Sequence, residues 1–302
     1  MKKLFILAVT ACTILSSCSS NNEIDNNLPN DEIIQFADPI VKEICIKMWD
    51  MDNDNQLSIG EAKTVKRLGL AFSDNRDIRQ FNELKYFVGL SAIDDKAFYR
   101  CTNLEEIELP ASINYIGESA FYNTYVKNVV IPNSVLEIGE FAFSGSAIEN
   151  IILPNKLSVI RKHCLSSSRI KSINVPSSVK LIEEYAFFNT SMESVKLAEG
   201  LLEIEDYAFY HNYNTAKRFA KIELPASIIT LGNNIFGMGD DYNDFSYSPL
   251  IIYCKSSTPI SFTSRSNTLG TGIDKIYVPN SSVSAYKSAR VWKQYSNIIT
   301  GF

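Results

Sequence analysis

The sequence has 302 residues, 45% hydrophobic and 21% charged, which supplies a sizeable packed core and excludes a wholly disordered chain. Its formal net charge of −5 argues against nucleic acid as a partner, because phosphate binding needs a basic surface. The two histidines, His163 and His211, are too few for a histidine-rich metal site or a crowded acid–base centre.

Residues 1–17 read as a lipoprotein signal peptide. Met1-Lys2-Lys3 is a short positive region, and Leu4 to Leu15 is apolar but too short to span a bilayer as a helix. Leu15-Ser16-Ser17-Cys18 looks like a lipobox, with Cys18 taking the lipid. An ordinary signal peptide that happens to carry a cysteine is the alternative. Acylation of Cys18 anchors a chain firmly, since each buried methylene contributes about 0.8 kcal/mol. Ser19 is compatible with sorting to the outer membrane, so the expected location is an outer-membrane lipoprotein facing the cell surface or the periplasm. Residues 18–30, rich in Ser and Asn, read as the anchor and a flexible tether. Of the cysteines, Cys12 leaves with the signal. Cys45, Cys101, Cys164 and Cys254 show no CxxC spacing and fall at scattered repeat phases, so buried free thiols are expected rather than zinc, redox motifs or disulfides.

Residues 31–70 read as a helical unit around an EF-hand-like loop. Asp38-Pro39 is a helix start, with Asp as N-cap and Pro at the first helical position. Ile40, Ile44 and Met48 form one stripe, and Val41, Cys45 and Trp49 the next. The loop runs Asp50-Met-Asp52-Asn-Asp54-Asn55-Gln56-Leu57-Ser58-Ile-Gly-Glu61. Carboxylates at positions one, three and five converge on a hard cation. Gln56 offers its backbone carbonyl, Ser58 ligates directly or through water, and Glu61 is the bidentate twelfth residue. Asn55 stands where glycine is usual, and asparagine tolerates the left-handed backbone better than most residues. Calcium in a structural role is the expected cofactor. The same residues also fit an acidic capped turn without metal. A second helix is expected over about Glu61 to Leu68.

Residues 71–302 are dominated by self-similarity. Ile107-Glu-Leu109-Pro110 recurs as Val129-Val-Ile131-Pro132, Ile151-Ile-Leu153-Pro154, Ile173-Asn-Val175-Pro176, Val195-Lys-Leu197-Ala198 and Ile222-Glu-Leu224-Pro225. The step is 22 residues four times, then 27. Phe98, Phe121, Phe143, Leu165, Phe187, Phe209 and Phe236 keep phase, each but the last preceded by Ala or Cys. One such coil cannot bury its own apolar face, whereas stacked coils share a continuous core. The expected fold is a leucine-rich-repeat solenoid of the α/β class, with 22-residue coils, short parallel strands about 4.8 Å apart and the calcium-loop unit in front. Glu105, Lys127, Glu149, Lys171 and Glu193 alternate in sign at one phase, a pattern suited to fixing register.

The run Pro132-Asn-Ser-Val135-Leu-Glu-Ile138-Gly139-Glu-Phe-Ala142-Phe143 resembles the BspA-like leucine-rich repeats of Bacteroidales surface proteins. Gly139 gives way to Arg161, Glu183 and Glu205 in later coils, so the position is no strict glycine turn. The resemblance covers about residues 78–302 and includes a closing repeat, Ile276-Tyr-Val278-Pro279 with Tyr286 and Trp292. It implies a secreted or surface-exposed protein associated with adhesion, without implying a particular ligand.

Strand residues that alternate with the core form the expected concave face. One column reads Glu108, Val130, Ile152, Asn174, Lys196, Glu223, and its neighbour Glu106, Asn128, Asn150, Ser172, Ser194, Lys221. Asn128, Val130, Asn150 and Ile152 give an apolar centre with a polar rim, the usual anatomy of a protein interface. Strand propensity alone also explains the branched residues. Two insertions, His211–Arg218 and Gly237–Ser248, break the period, and the second adds Tyr242, Phe245 and Tyr247 as candidate partner contacts. Phe141, His163, Tyr185 and Tyr207 share one phase and are expected to stack. The expected function is adhesion or binding of a protein or cell-surface ligand. Glycan or peptide capture by an accessory lipoprotein of an outer-membrane uptake system is the alternative. No GxSxG, HExxH or P-loop pattern appears, so no enzyme activity is expected.

Overall fold

The computed structural model describes residues 32–211, 220–237, 249–264 and 267–302, and Glu32–Phe302 form one compact unit. The signal segment, Cys18 and the tether lie outside the described residues, as do Tyr242, Phe245 and Tyr247.

The chain winds into a parallel β-solenoid of about nine turns with about 23 residues in each. Two strand rows run along it. The first holds Gln80–Phe81, Glu106–Ile107, Asn128–Val130, Asn150–Ile152, Ser172–Val175, Ser194–Leu197, Lys221–Leu224, Leu250–Cys254, Ile273–Val278 and Ile299–Gly301. The second holds two-residue strands from Ala92–Ile93 to Ser261–Phe262. The pairings between these strands are parallel and mostly in repeat phase, as in Ser194 with Ser172 and Leu197 with Val175, with one register shift between Leu250–Cys254 and Ile273–Val278. Proline, alanine or cysteine closes most first-row strands. Pro110, Pro132 and Pro154 lack the N–H that another ladder step would need.

The third side of each coil is a turn, and its backbone explains how the coils lock. Lys96, Ser119, Phe141, His163, Tyr185, Tyr207 and Asn234 all have φ between 51° and 59°. That left-handed conformation aims alternate N–H groups along the solenoid. The amides of Phe141, Phe143 and Gly145 donate to the carbonyls of Lys162, Cys164 and Ser166 at 3.1, 2.9 and 2.8 Å. The same pattern joins Phe98 to Ala120, Phe121 to Ala142 and Phe187 to Ala208. Turn backbone is thereby satisfied between coils, although no regular strand forms there.

Inside, Phe72, Phe98, Phe121 and Phe143 stack with centroids 5.5, 5.3 and 5.2 Å apart. Leu165 interrupts the column, which resumes as Phe187, Phe209 and Phe236. The alanines beside these rings, Ala97, Ala120, Ala142, Ala186 and Ala208, are fully buried. Cys45, Cys101, Cys164 and Cys254 are free and buried, as their scattered phases predict. Burial pushes the Cys164 thiol up to about 12.

Both ends are closed. At the start, helix α1, Pro39–Trp49, is capped by Asp38, which accepts from the amides of Ile40 and Val41. The second Asp38 oxygen accepts from the Arg79 amide at 2.6 Å, tying α1 to the first coil. Trp49 packs edge-on to Phe87 at 5.6 Å. Helix α2, Ile59–Thr64, is shorter than the expected Glu61–Leu68 and starts earlier. Asp94 is the reason: its carboxylate takes the Leu68 and Gly69 amides at 2.9 and 2.8 Å and pairs with Arg67, drawing the chain out of helix. At the far end, helix α3, Val283–Ser288, supplies Tyr286, whose hydroxyl donates to carbonyls of Ser256 and Thr258. Trp292 donates its ring N–H to Ile260 O at 2.8 Å.

Candidate functional site

The outward side of the first strand row is an ordered surface that the core does not use. Alternation along each strand buries Val129, Ile131, Ile151, Leu153, Ile173 and Ile222 and turns the intervening residues out. Glu106, Glu108, Asn128, Val130, Asn150, Ile152, Ser172, Asn174, Ser194, Lys196, Lys221 and Glu223 are all exposed. Val130 and Ile152 are 69% and 66% exposed and stand at the same position of paired strands. Beside them the Asn150 amide donates to Asn128 Oδ1 at 2.9 Å, so the polar rim is ordered before any ligand arrives. Tyr125, next to the patch, carries Arg169 at 5.2 Å and Lys127 at 5.5 Å over its ring. The four sequence-predicted contacts therefore lie together on one face.

The row extends beyond the predicted columns. Pairing of Lys221–Leu224 with Leu250–Cys254, and of that strand with Ile273–Val278, places Tyr253 and Tyr277 in register with Glu223. The reading of 22-residue steps missed these tyrosines because the insertions displace them from phase. The alternation of buried Ile252 and Cys254 around Tyr253 is the signal that finds them.

The charged column behaves as a register device at only one of its rungs. Lys171 pairs with Glu149 at 2.7 Å and holds that carboxyl below its ordinary range. Lys127 turns toward Tyr125 instead. A second network crosses three coils, with Arg161 bridging Glu137 and Glu183 at 3.0 and 3.1 Å. The expected aromatic stripe is stacked: Phe141, His163, Tyr185 and Tyr207 have centroids 4.5, 4.8 and 5.0 Å apart. Burial within the stack, then the neighbouring Lys162, lowers the His163 pKa.

In the acidic loop, Asp50, Asp52 and Asp54 each bring a carboxylate oxygen within 4.8 Å of the others. Asn53 and Asn55 take the left-handed backbone, φ 62° and 63°, which folds the loop back on itself. Amides hold the carboxylates in place: Asn53 and Asn55 donate to Asp50, Asp54 to Asp52, and Gln56 to Asp54. Glu61 does not join the three. Its oxygens accept from the amides of Met51 and Ser58 and from the Ser58 hydroxyl, completing the capping box of α2. These donors outweigh burial and lower the Glu61 pKa. Gln56 bonds Asp54 through its side chain. Buried Leu57 pairs with the incoming segment, accepting from Ile34 at 2.9 Å, while Ile59 donates to Glu32 at 2.8 Å. Three converging carboxylates fit the all-oxygen preference of calcium.

Among the described residues, no helix is long and apolar enough to cross a membrane. The description BspA type Leucine rich repeat region matches six copies over residues 91–216. No curated protein matches the chain. A leucine-rich repeat protein from Bacteroides ovatus shares 20% identity at a TM-score of 0.56, over 82% of this chain and 61% of that one. This chain thus spans less than two thirds of that protein, and the likeness bears on the fold. A leucine rich cell surface protein from Faecalibacterium prausnitzii shares 18% identity over 82% of this chain and 70% of that one, with a TM-score of only 0.35. Residues 91–216 match six copies of the BspA type leucine-rich repeat, and the register, turn geometry and buried ladders of the described residues form a leucine-rich-repeat solenoid.

Proposed function

We propose that this protein is a lipid-anchored binding or adhesion protein of the outer membrane, displayed at the cell surface, which recognises a protein partner through the outward face of its first strand row. The observation that carries the reading is the exposed pair Val130 and Ile152, flanked by the bonded amides of Asn128 and Asn150. Isolated exposed apolar side chains are ordinary, but two in register on a rigid sheet with a fixed polar rim suit a partner's apolar anchor. Anchoring through Cys18 rests on the sequence of the signal segment, and Tyr242, Phe245 and Tyr247 extend the reading to the insertion.

The test displays the full chain on cells and measures adhesion to immobilised matrix proteins and to neighbouring cells. The double variant Val130→Arg/Ile152→Arg should keep its expression and fold, since both side chains are exposed, yet lose most adhesion. Undiminished adhesion by the variant removes this face from consideration. We further propose that Asp50, Asp52 and Asp54, with Gln56, Ser58 and Glu61, hold a structural calcium ion. Calcium should then raise the melting temperature of the chain and leave Asp50→Asn/Asp54→Asn unmoved. An equal response of both proteins rejects that site.

A further inference from the structure

The first strand row changes character along its length, and its last three long strands carry a surface unlike the rest. Tyr253 and Tyr277 stack with centroids 4.6 Å apart and planes 11° from parallel. Lys221 Nζ sits 4.4 Å from the centroid of Tyr253, and Lys275 Nζ is 5.6 Å from that of Tyr277. Phe302, 52% exposed, stands edge-on to Tyr253 at 6.0 Å. Glu223 accepts from Lys221 and Lys255, both at 2.8 Å, which fixes where those ammonium groups lie. The two lysines hold the Glu223 carboxyl at about 2, so it is ionised at every physiological pH. Lys221, Lys255 and Lys275 against Glu223 and the exposed Asp274 leave this face with a surplus of one positive charge, on a chain whose net charge is −5. The opposite end of the row presents Glu106 and Glu108.

This arrangement has two recognition elements. One is aromatic. Lys221 and Tyr277 occupy the two sides of Tyr253, while half-buried Tyr277 is followed in register by the small Thr300 and has Lys275 Nζ 5.6 Å from its ring centroid. A ring face so placed receives the axial C–H groups of a pyranose, whose partial positive charge meets the negative ring face. The other is cationic, with lysines at the level of the rings that suit a carboxylate or a sulfate ester. Three lysines with a glutamate among them do not make the basic groove that tracks a nucleic-acid backbone. An acidic peptide would use the lysines but has no sugar ring to lay on Tyr277.

We infer that the face formed by Lys221, Tyr253, Lys255, Lys275 and Tyr277 is a binding site for an anionic polysaccharide, with the pyranose on the tyrosine pair and its acidic substituent on the lysines. The site spans the third to fifth strands beyond that of Ile152, roughly 14–24 Å away, and does not depend on a protein partner at Val130 and Ile152.

The test is native affinity electrophoresis of the purified chain in gels containing polygalacturonate, dextran sulfate or neutral dextran. The expected result is retardation in at least one anionic gel and none in dextran. The polygalacturonate and dextran sulfate arms separate a carboxylate from a sulfate preference. Tyr277→Ala and Lys221→Gln/Lys275→Gln should each weaken retardation at least tenfold, while Tyr277→Phe, which keeps the ring, retains it. Val130→Ser/Ile152→Ser, which leaves the charge unchanged, should migrate like the parent, so failure here and failure of the protein-binding reading are separate results. Retardation unchanged by Tyr277→Ala shows attraction by charge alone and overturns the inference. So does equal competition by polyglutamate or an oligothymidylate, or the absence of retardation in both anionic gels.

Discussion

The left-handed turn column offers a prediction whose sign depends on the neighbours of each residue. Ser119 and Tyr185 have φ of 54° and 58° at the same position of different coils. A side chain in that conformation costs about 1–2 kcal/mol, which glycine relieves, while glycine's extra chain entropy costs about 0.5–1 kcal/mol. Ser119→Gly should therefore be neutral to stabilising, by about 0.5 kcal/mol. Tyr185 carries more. It stacks on His163 at 4.8 Å and Tyr207 at 5.0 Å, and meets Phe188 edge-on at 5.3 Å. Three aromatic contacts at about 1 kcal/mol each outweigh the relieved strain, so Tyr185→Gly should lose about 2.5 kcal/mol. Urea denaturation followed by circular dichroism, with unchanged m-values, measures both. The reasoning predicts a gap of about 3 kcal/mol between the two variants. A gap below about 1 kcal/mol means that the aromatic stripe adds nothing beyond occupying its turn, and the argument from stacking is refuted.

Phe121, 1% exposed and stacked on Phe98 and Phe143, should lose about 3–5 kcal/mol on replacement by alanine; a loss under about 1.5 kcal/mol in the same titration contradicts a continuous ladder. Native Cys101 and Cys164 should resist iodoacetamide at alkaline pH and react only in urea, read by mass spectrometry, because burial pushes both thiols up to about 12. Their folded pKa values lie above that of an unfolded thiol, about 8.5, so this contribution to stability is complete below that pH and declines as pH rises toward 12. Rapid labelling of native Cys164 rules the burial out. Glu61→Gln should cost about 1 kcal/mol at neutral pH by weakening the cap of α2. The folded pKa of Glu61 is depressed, so the difference should vanish as pH falls through the carboxylate range; a pH-independent difference means that the ionised form is not what caps the helix.

The sequence by itself determined the solenoid. A recurrence of 22 residues with phased Ile, Leu, Phe and Ala can bury its apolar positions only by stacking, and that requirement is local enough to be read directly. It also determined the Asp38-Pro39 helix start, the outward positions of Asn128, Val130, Asn150 and Ile152, and the buried thiols. Other features depend on partners distant in the chain. Helix α2 ends at Thr64 because Asp94, thirty residues on, captures the Leu68 and Gly69 amides. Glu61 also takes the amides of Met51 and Ser58, contacts that its place in the loop does not announce. In the charged column, alternation of sign was legible, but the choice of Glu149 and Lys171 as its closed pair follows from side-chain competition, since Tyr125 draws Lys127 aside. The Tyr253–Tyr277 surface is legible only in part, since alternation marks Tyr253 as outward but not which residues stand beside it. The insertions shift both residues out of sequence phase, and only hydrogen-bonded register between parallel strands brings them back into line with Glu223.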